Sequence, residues 1–270
     1  MKSKILLIAI DGLNLNTALE SSPSIAGLKQ SGFFTHMLMQ APTWSGPSWS
    51  TILTGSTHEQ HGVRDNSFAS HALLHHPDLL SLAYYQDQST TTFAAAGWPP
   101  LVDPASSGPV IHERREQQSA FKHRIIARDG ETYGYTVIDA QICAAALYAI
   151  ENHGPDVSFV YFCGVDEAGH VFGAMGEEYK AAIARIDTYV ENLLTAVRTR
   201  ASENEPWLVV ITTDHGHLDI GGHGGDSPEE RASFVIAEGF GRSKPEWPVG
   251  FGPHELTPLL LAERKNRNEL

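Results

Sequence analysis

Five short apolar runs rich in β-branched or aromatic residues alternate along this chain with segments of helical pattern. The apolar runs lie at 4–10, 90–98, 156–164, 206–213 and 232–239. Helical patterns lie between them at 48–55, 139–153 and 177–200. Alternation of this kind is typical of α/β proteins, in which helices connect strands that run in the same direction. The sequence therefore predicts an α/β fold with a mostly parallel sheet.

Three of the apolar runs lead directly into an aspartate. Asp11 follows "ILLIAI", Asp166 follows "FVYFCGV", and Asp214 follows "VVITT". A single aspartate at such a place could equally be a turn or helix-cap residue or a ligand-binding residue. Because α/β sheets bind ligands beyond the carboxyl ends of their strands, three of them together predict a cluster of carboxylates at one edge of the sheet.

Histidines accompany two of these aspartates at spacings that suit metal binding. Asp166 and His170 are four residues apart and would share one face of a helix. Asp214 and His215 are adjacent, in the stretch "TTDHGHLDIGGHGG" at 212–225, which holds five potential ligands among five glycines. Mixed Asp and His ligands favour Zn²⁺ or Mn²⁺, whereas carboxylates alone would favour Mg²⁺ or Ca²⁺.

Composition excludes several other classes of protein. The net charge of −13 argues against a nucleic-acid-binding surface, which needs clustered Lys and Arg. The first apolar run is too short for a signal peptide or a membrane span, so we expect a cytoplasmic protein that makes no membrane contact. Cys143 and Cys163 lie in apolar segments and are predicted to be buried free thiols. Nothing in the sequence indicates an oligomeric state.

Four sequence blocks together resemble a known family. They are "IAIDG" (8–12), "PTWSGPSWSTILTGSTHEQHGVRDN" (42–66), "GVDEAGHVFG" (164–173) and "TTDHGHLDIGGHGG" (212–225). The residues of these blocks and their order along the chain resemble the type I phosphodiesterase/nucleotide pyrophosphatase branch of the alkaline phosphatase superfamily. The resemblance implies a three-layer α/β sandwich around a mostly parallel sheet. We expect one catalytic domain over 1–270, with a loop-rich insertion near the site at about 99–135.

The resemblance also implies a centre of two divalent ions, Zn²⁺ or alternatively Mn²⁺. One ion would be held by Asp11, Ser45, Asp214 and His215. The other would be held by Asp166, His170 and a third histidine. We assign this third ligand to His223 in "GGHGG", with His254 as the alternative. His217 is interpreted as a neighbour of the ligands or as an exposed residue, and not as a ligand.

Ser45 is the nucleophile that the resemblance implies, because it lies ten residues before Gly55 of the "TG" pair. Ser48 and Ser50 are competing hydroxyls, which we interpret as capping or packing residues. Asn66, 21 residues after Ser45, would contact a phosphate oxygen through its side-chain amide. The predicted activity is hydrolysis of small phosphodiesters or nucleotide pyrophosphates through a phosphoryl-serine intermediate.

Alternatives within and outside the superfamily remain open. A phosphomonoesterase or phosphonate hydrolase would use the same centre, and a non-enzymatic metal-binding protein could retain the fold. Sulfatase chemistry is disfavoured because Trp49 stands where that motif has arginine, and the chain is too short for the inserted domain of phosphoglycerate mutases. Monoester binding could be supplied by Arg64, Arg114, Arg115 or Lys122, and base stacking by Trp98 or Tyr133.

Overall fold

The computed structural model describes residues 2–264, and a seven-stranded sheet forms its centre. The strands are β1 (Lys4–Ile10), β2 (Phe33–Leu38), β3 (Thr92–Ala96), β4 (His123–Ala127), β5 (Val157–Phe162), β6 (Trp207–Thr212) and β7 (Ala232–Phe240). Their order across the sheet is β2-β7-β6-β1-β5-β3-β4. Neighbours from β6 to β4 pair in parallel, and β7 is antiparallel to both β6 and β2. The predicted mostly parallel sheet is confirmed.

Alternating side chains of the central strands supply two separate cores. In β1, Ile5 and Leu7 face one apolar cluster, whereas Leu6 and Ile8 face the other. Central parallel strands are covered on both faces, which explains why β1, β5 and β6 are apolar at nearly every position. Helices therefore have to cover both faces of the sheet, and the three-layer α/β sandwich is confirmed.

The helices divide between the two faces. They are α1 (Leu15–Ser21), α2 (Pro23–Ser31), α3 (Ser45–Thr54), α4 (His58–His61), α5 (Leu79–Gln86), α6 (Pro99–Val102), α7 (Arg115–Ser119), α8 (Gly130–Tyr133), α9 (Tyr135–His153), α10 (Gly164–Phe172), α11 (Glu177–Ser202), α12 (Pro228–Arg231) and α13 (Leu256–Glu263). Helices α3, α5 and α13 contribute to one core, and α2, α9, α10 and α11 contribute to the other. No helix within residues 2–264 is long and apolar enough to cross a bilayer.

Two edge strands were not predicted. β2 has the sequence "FFTHML", of which only two side chains are buried, and it pairs with β7 alone. β4 has the sequence "HRIIA" and pairs with β3 alone. Short, half-exposed edge strands lack the apolar runs of central strands, so their pattern is weak. The segment 99–135, expected to be loop-rich, thus contains β4 and three short helices. Both cysteines are buried and free, as predicted.

Candidate metal centre

The three predicted aspartates meet at one edge of the sheet because β5, β1 and β6 are adjacent strands. Asp11 and Asp214 are fully buried, and Asp166 is 8% exposed. Gly12 follows Asp11 with a φ of +60°, and its N–H donates to Asp214 Oδ1 at 3.3 Å. A Cβ at Gly12 would lie 2.6 Å from Asp166 Oδ1, so only glycine lets the strand ends approach this closely.

Asp11, Ser45, Asp214 and His215 form the first group of potential ligands. His215 Nε2 lies 3.2 Å from Asp11 Oδ1, 3.2 Å from Asp214 Oδ2 and 3.3 Å from Ser45 Oγ. The other ring nitrogen, Nδ1, lies 3.1 Å from the carbonyl oxygen of Gly216 and can donate its proton there. This tautomer leaves the Nε2 lone pair directed at the two carboxylates, as a metal ligand requires.

Asp166, His170 and His223 form the second group. His170 Nε2 lies 3.0 Å from His223 Nε2, and each lies 3.5 Å from an oxygen of Asp166. His223 Nδ1 donates to the carbonyl oxygen of Thr43 at 2.8 Å, so the Nε2 lone pair is free. Burial, and then the neighbouring His215, lower the pKa of His223 to about 2, which keeps its ring neutral. Two facing imidazole nitrogens beside a carboxylate suit a shared cation.

The charges in this cluster are unbalanced. Asp11, Asp166 and Asp214 form ion pairs only with histidines within residues 2–264. Burial, followed by the charge of Asp11, raises the pKa of Asp166 to about 7 and that of Asp214 well above its ordinary value. Asp214 Oδ2 is buried and accepts no hydrogen bond from the described residues. Divalent cations would satisfy these oxygens, so the donor set fits a metal centre.

Ser45 occupies the first position of α3, beside the first ligand group. Its Oγ lies 3.5 Å from Asp11 Oδ1, in addition to the contact with His215. The N–H of Gly46 donates to Asn66 Oδ1 at 2.7 Å, which directs the Asn66 side chain to the start of the helix. Since that oxygen is the acceptor, the Nδ2 group of Asn66 remains a donor next to Ser45. A helix N-terminus and an amide donor both favour a phosphate oxygen.

The competing hydroxyls form no hydrogen bond with either ligand group among the described residues. Ser50 Oγ donates to the carbonyl oxygen of Gly46, and Ser48 is fully buried in the core. His254 packs against the C-terminal end of α3, because its carbonyl oxygen would lie 3.3 Å from a Cβ at Gly55. A ten-residue helix is about 15 Å long, so His254 lies far from Ser45. The structure brings His223, and not His254, to the other ligands.

Two hydrogen-bond donors to Asp11 were missed by the sequence analysis. Trp49 Nε1 donates to Asp11 Oδ2 at 2.9 Å, and the Tyr161 hydroxyl donates to the same oxygen at 2.5 Å. Burial acts to raise the pKa of Asp11, but the neighbouring His215, followed by the hydrogen bonds from Tyr161 and Trp49, holds it below its ordinary value. Trp49 lies one helical turn after Ser45, and this spacing is the only signal that could have indicated its role.

Several residues considered for substrate binding contact other parts of the protein. Arg114 is buried and bonds to Ser81, Thr92 and His123. Lys122 bonds to the carbonyl oxygen of Gln88, and Arg115 bonds to Glu113. Trp98 is 5% exposed and donates to Glu131, so its ring is not available for stacking. Arg64 and Tyr133 are exposed.

Replacing His223 with alanine is expected to weaken the binding of one ion by at least about 100-fold. Loss of a residue that only hydrogen-bonds to a ligand lowers metal affinity by up to about 100-fold, and loss of a ligand itself should have an effect at least as large. The reason is that His223 Nε2 faces His170 Nε2 and Asp166. Affinity would be measured by competition with a fluorescent zinc chelator. His254→Ala is the matched control and should bind both ions as the wild type does. The opposite ranking of the two variants would move the third ligand to residue 254.

The sequence is similar to those of known proteins. The sequence profile of the type I phosphodiesterase / nucleotide pyrophosphatase family matches residues 5–230. A GPI ethanolamine phosphate transferase 1 from Yarrowia lipolytica is 36% identical over 89 residues, which are 33% of this chain and 10% of that protein. The chain thus matches about a tenth of the length of the first curated relatives.

Two solved structures share the fold over almost their whole length. Phosphonoacetate hydrolase from Sinorhizobium meliloti 1021, in complex with phosphonoformate, has a TM-score of 0.69 at 11% identity, covering 98% of this chain and 96% of that one. Human ectonucleotide pyrophosphatase / phosphodiesterase 5 has a TM-score of 0.67 at 16% identity, covering 96% and 94%. At these identities the likeness establishes the fold.

Proposed function

The chain belongs to the type I phosphodiesterase/nucleotide pyrophosphatase family, which confirms the resemblance of its four motifs, and from this premise we propose that it is a two-metal phosphohydrolase. Its substrates would be phosphodiesters or nucleotide pyrophosphates, cleaved through a phosphoryl-serine intermediate. The observation that carries the proposal is the position of Ser45 Oγ, within 3.5 Å of Asp11 and His215 and next to a second ligand group. We further propose that 1–270 acts as a single catalytic domain.

Each protein group has a role in this proposal. Asp11, Ser45, Asp214 and His215 would hold one ion, and Asp166, His170 and His223 would hold the other. When bound, Zn²⁺ or Mn²⁺ would lower the pKa of the Ser45 hydroxyl and neutralise charge on the phosphate. Ser45 Oγ would attack phosphorus in line with the leaving oxygen. The Ser45 backbone N–H and Asn66 Nδ2 would donate to a phosphate oxygen as negative charge develops.

The charges around Ser45 favour diesters over monoesters. A doubly charged monoester is best bound by a bidentate arginine. Three of the four basic residues considered bond to other parts of the protein, namely Arg114, Arg115 and Lys122. The fourth, Arg64, is exposed and lies two residues before Asn66. The cations of the centre would then supply most of the positive charge that the substrate meets.

We expect kcat/KM for bis-p-nitrophenyl phosphate to exceed that for p-nitrophenyl phosphate with both metals loaded. A dinucleotide measured in parallel tests the nucleotide part of the proposal. Arg64→Ala is the matched control, because it should leave the diester rate unchanged and lower only residual monoester turnover. A tenfold or greater preference for the monoester would contradict the diesterase assignment and favour a monoesterase with the same centre.

A second candidate is transfer of the phosphoryl group to an alcohol. It is favoured by the 36% identity to a protein named as a GPI ethanolamine phosphate transferase. Both reactions share the attack by Ser45 and differ in whether water or an alcohol releases the intermediate. In the diester assay the phosphorus bound to Ser45 keeps one ester group, so water releases a monoester and an added alcohol releases a new mixed diester. Adding ethanolamine or a simple alcohol and quantifying that mixed diester against the monoester separates the two reactions. Absence of turnover with every divalent metal and ester would support the metal-binding alternative.

A further inference from the structure

His217 is buried next to the proposed metal ligands, although the family resemblance gives it no role. His217 is 1% exposed, and its ring lies next to Gly12, just after β1, and Gly169, in the second half of α10. Two glycines make room for the ring. A Cβ at Gly12 would lie 2.7 Å from His217 Nε2, and a Cβ at Gly169 would lie 2.8 Å from the same atom. The surrounding backbone thus admits an imidazole in this place.

Hydrogen bonds determine which nitrogen of His217 carries the proton. The N–H of Gly222 donates to His217 Nδ1 at 3.1 Å, so Nδ1 is an acceptor. A neutral imidazole then has its proton on Nε2, and Nε2 lies 2.7 Å from Asp166 Oδ1. His217 is therefore a donor to Asp166.

The backbone of His217 is fixed independently of its ring. Its N–H donates to Asn14 Oδ1 at 2.8 Å, and Asn14 Nδ2 donates to its carbonyl oxygen at 3.3 Å. The side chain of Asn14, three residues after Asp11, therefore holds the loop in place. The ring is anchored at its Nδ1 edge as well, which leaves little freedom for Nε2 to point elsewhere than at Asp166.

We propose that His217 is a positioning residue, which donates to Asp166 Oδ1 and so directs Asp166 Oδ2 towards the cation shared with His170 and His223. The inference rests on the metal centre of the proposed function. His217 Nε2 lies among the potential ligand atoms, all within 4.8 Å of one another, and direct ligation is the competing interpretation. Ligation through Nε2 would require the proton on Nδ1, where it would face the Gly222 N–H.

Outer hydrogen bonds of this kind fix the orientation of a ligand, and their loss typically lowers metal affinity about 10- to 100-fold. A packing histidine would have no such effect. Leucine in place of His217 removes the donor and retains an apolar side chain. Glutamine has an N–H₂ group near the position of Nε2, whereas asparagine is shorter by one methylene and should not reach Asp166. Neither amide is an effective zinc ligand.

Zinc affinity of the full chain, measured by competition with a fluorescent chelator, tests the proposal without relying on turnover. His217→Leu and His217→Asn should each lower the affinity of one ion about 10- to 100-fold, and His217→Gln should retain it. If leucine destabilises the metal-free fold, seen as loss of a cooperative thermal transition, the Gln and Asn pair makes the same comparison.

Wild-type affinity in all three variants would overturn the inference in favour of simple packing. A loss in His217→Gln as large as that in His170→Ala would overturn it in favour of direct ligation. Either result leaves the proposed function intact, provided that the wild type binds metal. Failure of the wild type to bind zinc or manganese would instead remove the metal centre, and the role of His217 with it.

Discussion

Replacing Ser45 with alanine is expected to abolish turnover while both metal ions remain bound. Ser45 Oγ would form the bond to phosphorus, and no other hydroxyl of α3 forms a hydrogen bond with the ligand groups. Removing a nucleophile typically lowers kcat by about 10⁴-fold or more. The metal would remain because Asp11, Asp214 and His215 still supply charged and imidazole ligands. Rates on a p-nitrophenyl diester and metal content by elemental analysis, on the same samples, check both parts.

Ser48→Ala is the matched control, since Ser48 lies one turn further along α3 and is buried in the core. We expect it to retain activity. An active Ser45→Ala together with an inactive Ser48→Ala would mean that the nucleophile has been assigned to the wrong serine. Loss of metal in Ser45→Ala would show instead that the hydroxyl contributes more to binding than the carboxylates around it.

The second large effect is expected when an aspartate at a strand end is removed. Asp214→Ala and Asp166→Ala should each lose one ion and at least about 10³-fold in activity, because each removes a charged ligand from a different group. Metal content after dialysis against metal-free buffer, combined with the diester rate, measures both effects. The two variants should lose different ions. Excess zinc should therefore not fully restore the diester hydrolysis of either variant.

Glu167 and Asp219 provide controls for these substitutions. Glu167 follows Asp166 on α10, and Asp219 lies in the same loop as Asp214 and is exposed. Alanine at either position removes one negative charge without removing a predicted ligand. Retention of both ions in these controls would separate ligation from a general change in charge. Normal metal content in Asp214→Ala or Asp166→Ala would contradict the assignment of ligands.

The cluster of aspartates at the ends of the central strands could be predicted because each aspartate is close in sequence to the strand that positions it. Asp11, Asp166 and Asp214 each follow an uninterrupted apolar run, and parallel strands bring their carboxyl ends to one edge. His170 and His215 were identified by spacing alone, from the turn of a helix and from direct adjacency. The same arguments could not choose between His223 and His254, because that choice depends on how a glycine-rich loop folds back.

The residues that the sequence did not reveal act across long separations. Trp49 and Tyr161 reach Asp11 from α3 and β5, and no periodic pattern links them to it. The sequence allowed His217 to be a neighbour of the ligands, but its role as a donor depends on space left by Gly12 after β1 and by Gly169 in α10, which only the packed structure shows. The edge strands β2 and β4 escaped notice because a strand with one partner needs no continuous apolar run.

Metal stoichiometry tests the central claim most directly. Protein purified without chelator, stripped, and titrated with Zn²⁺ or Mn²⁺ should bind about two ions per chain, with diester hydrolysis reaching its maximum only at the second equivalent. Elemental analysis of the isolated complex gives the number independently of activity. A plateau at one ion, or no binding at all, would contradict the two-metal centre built on Asp11, Asp166 and Asp214.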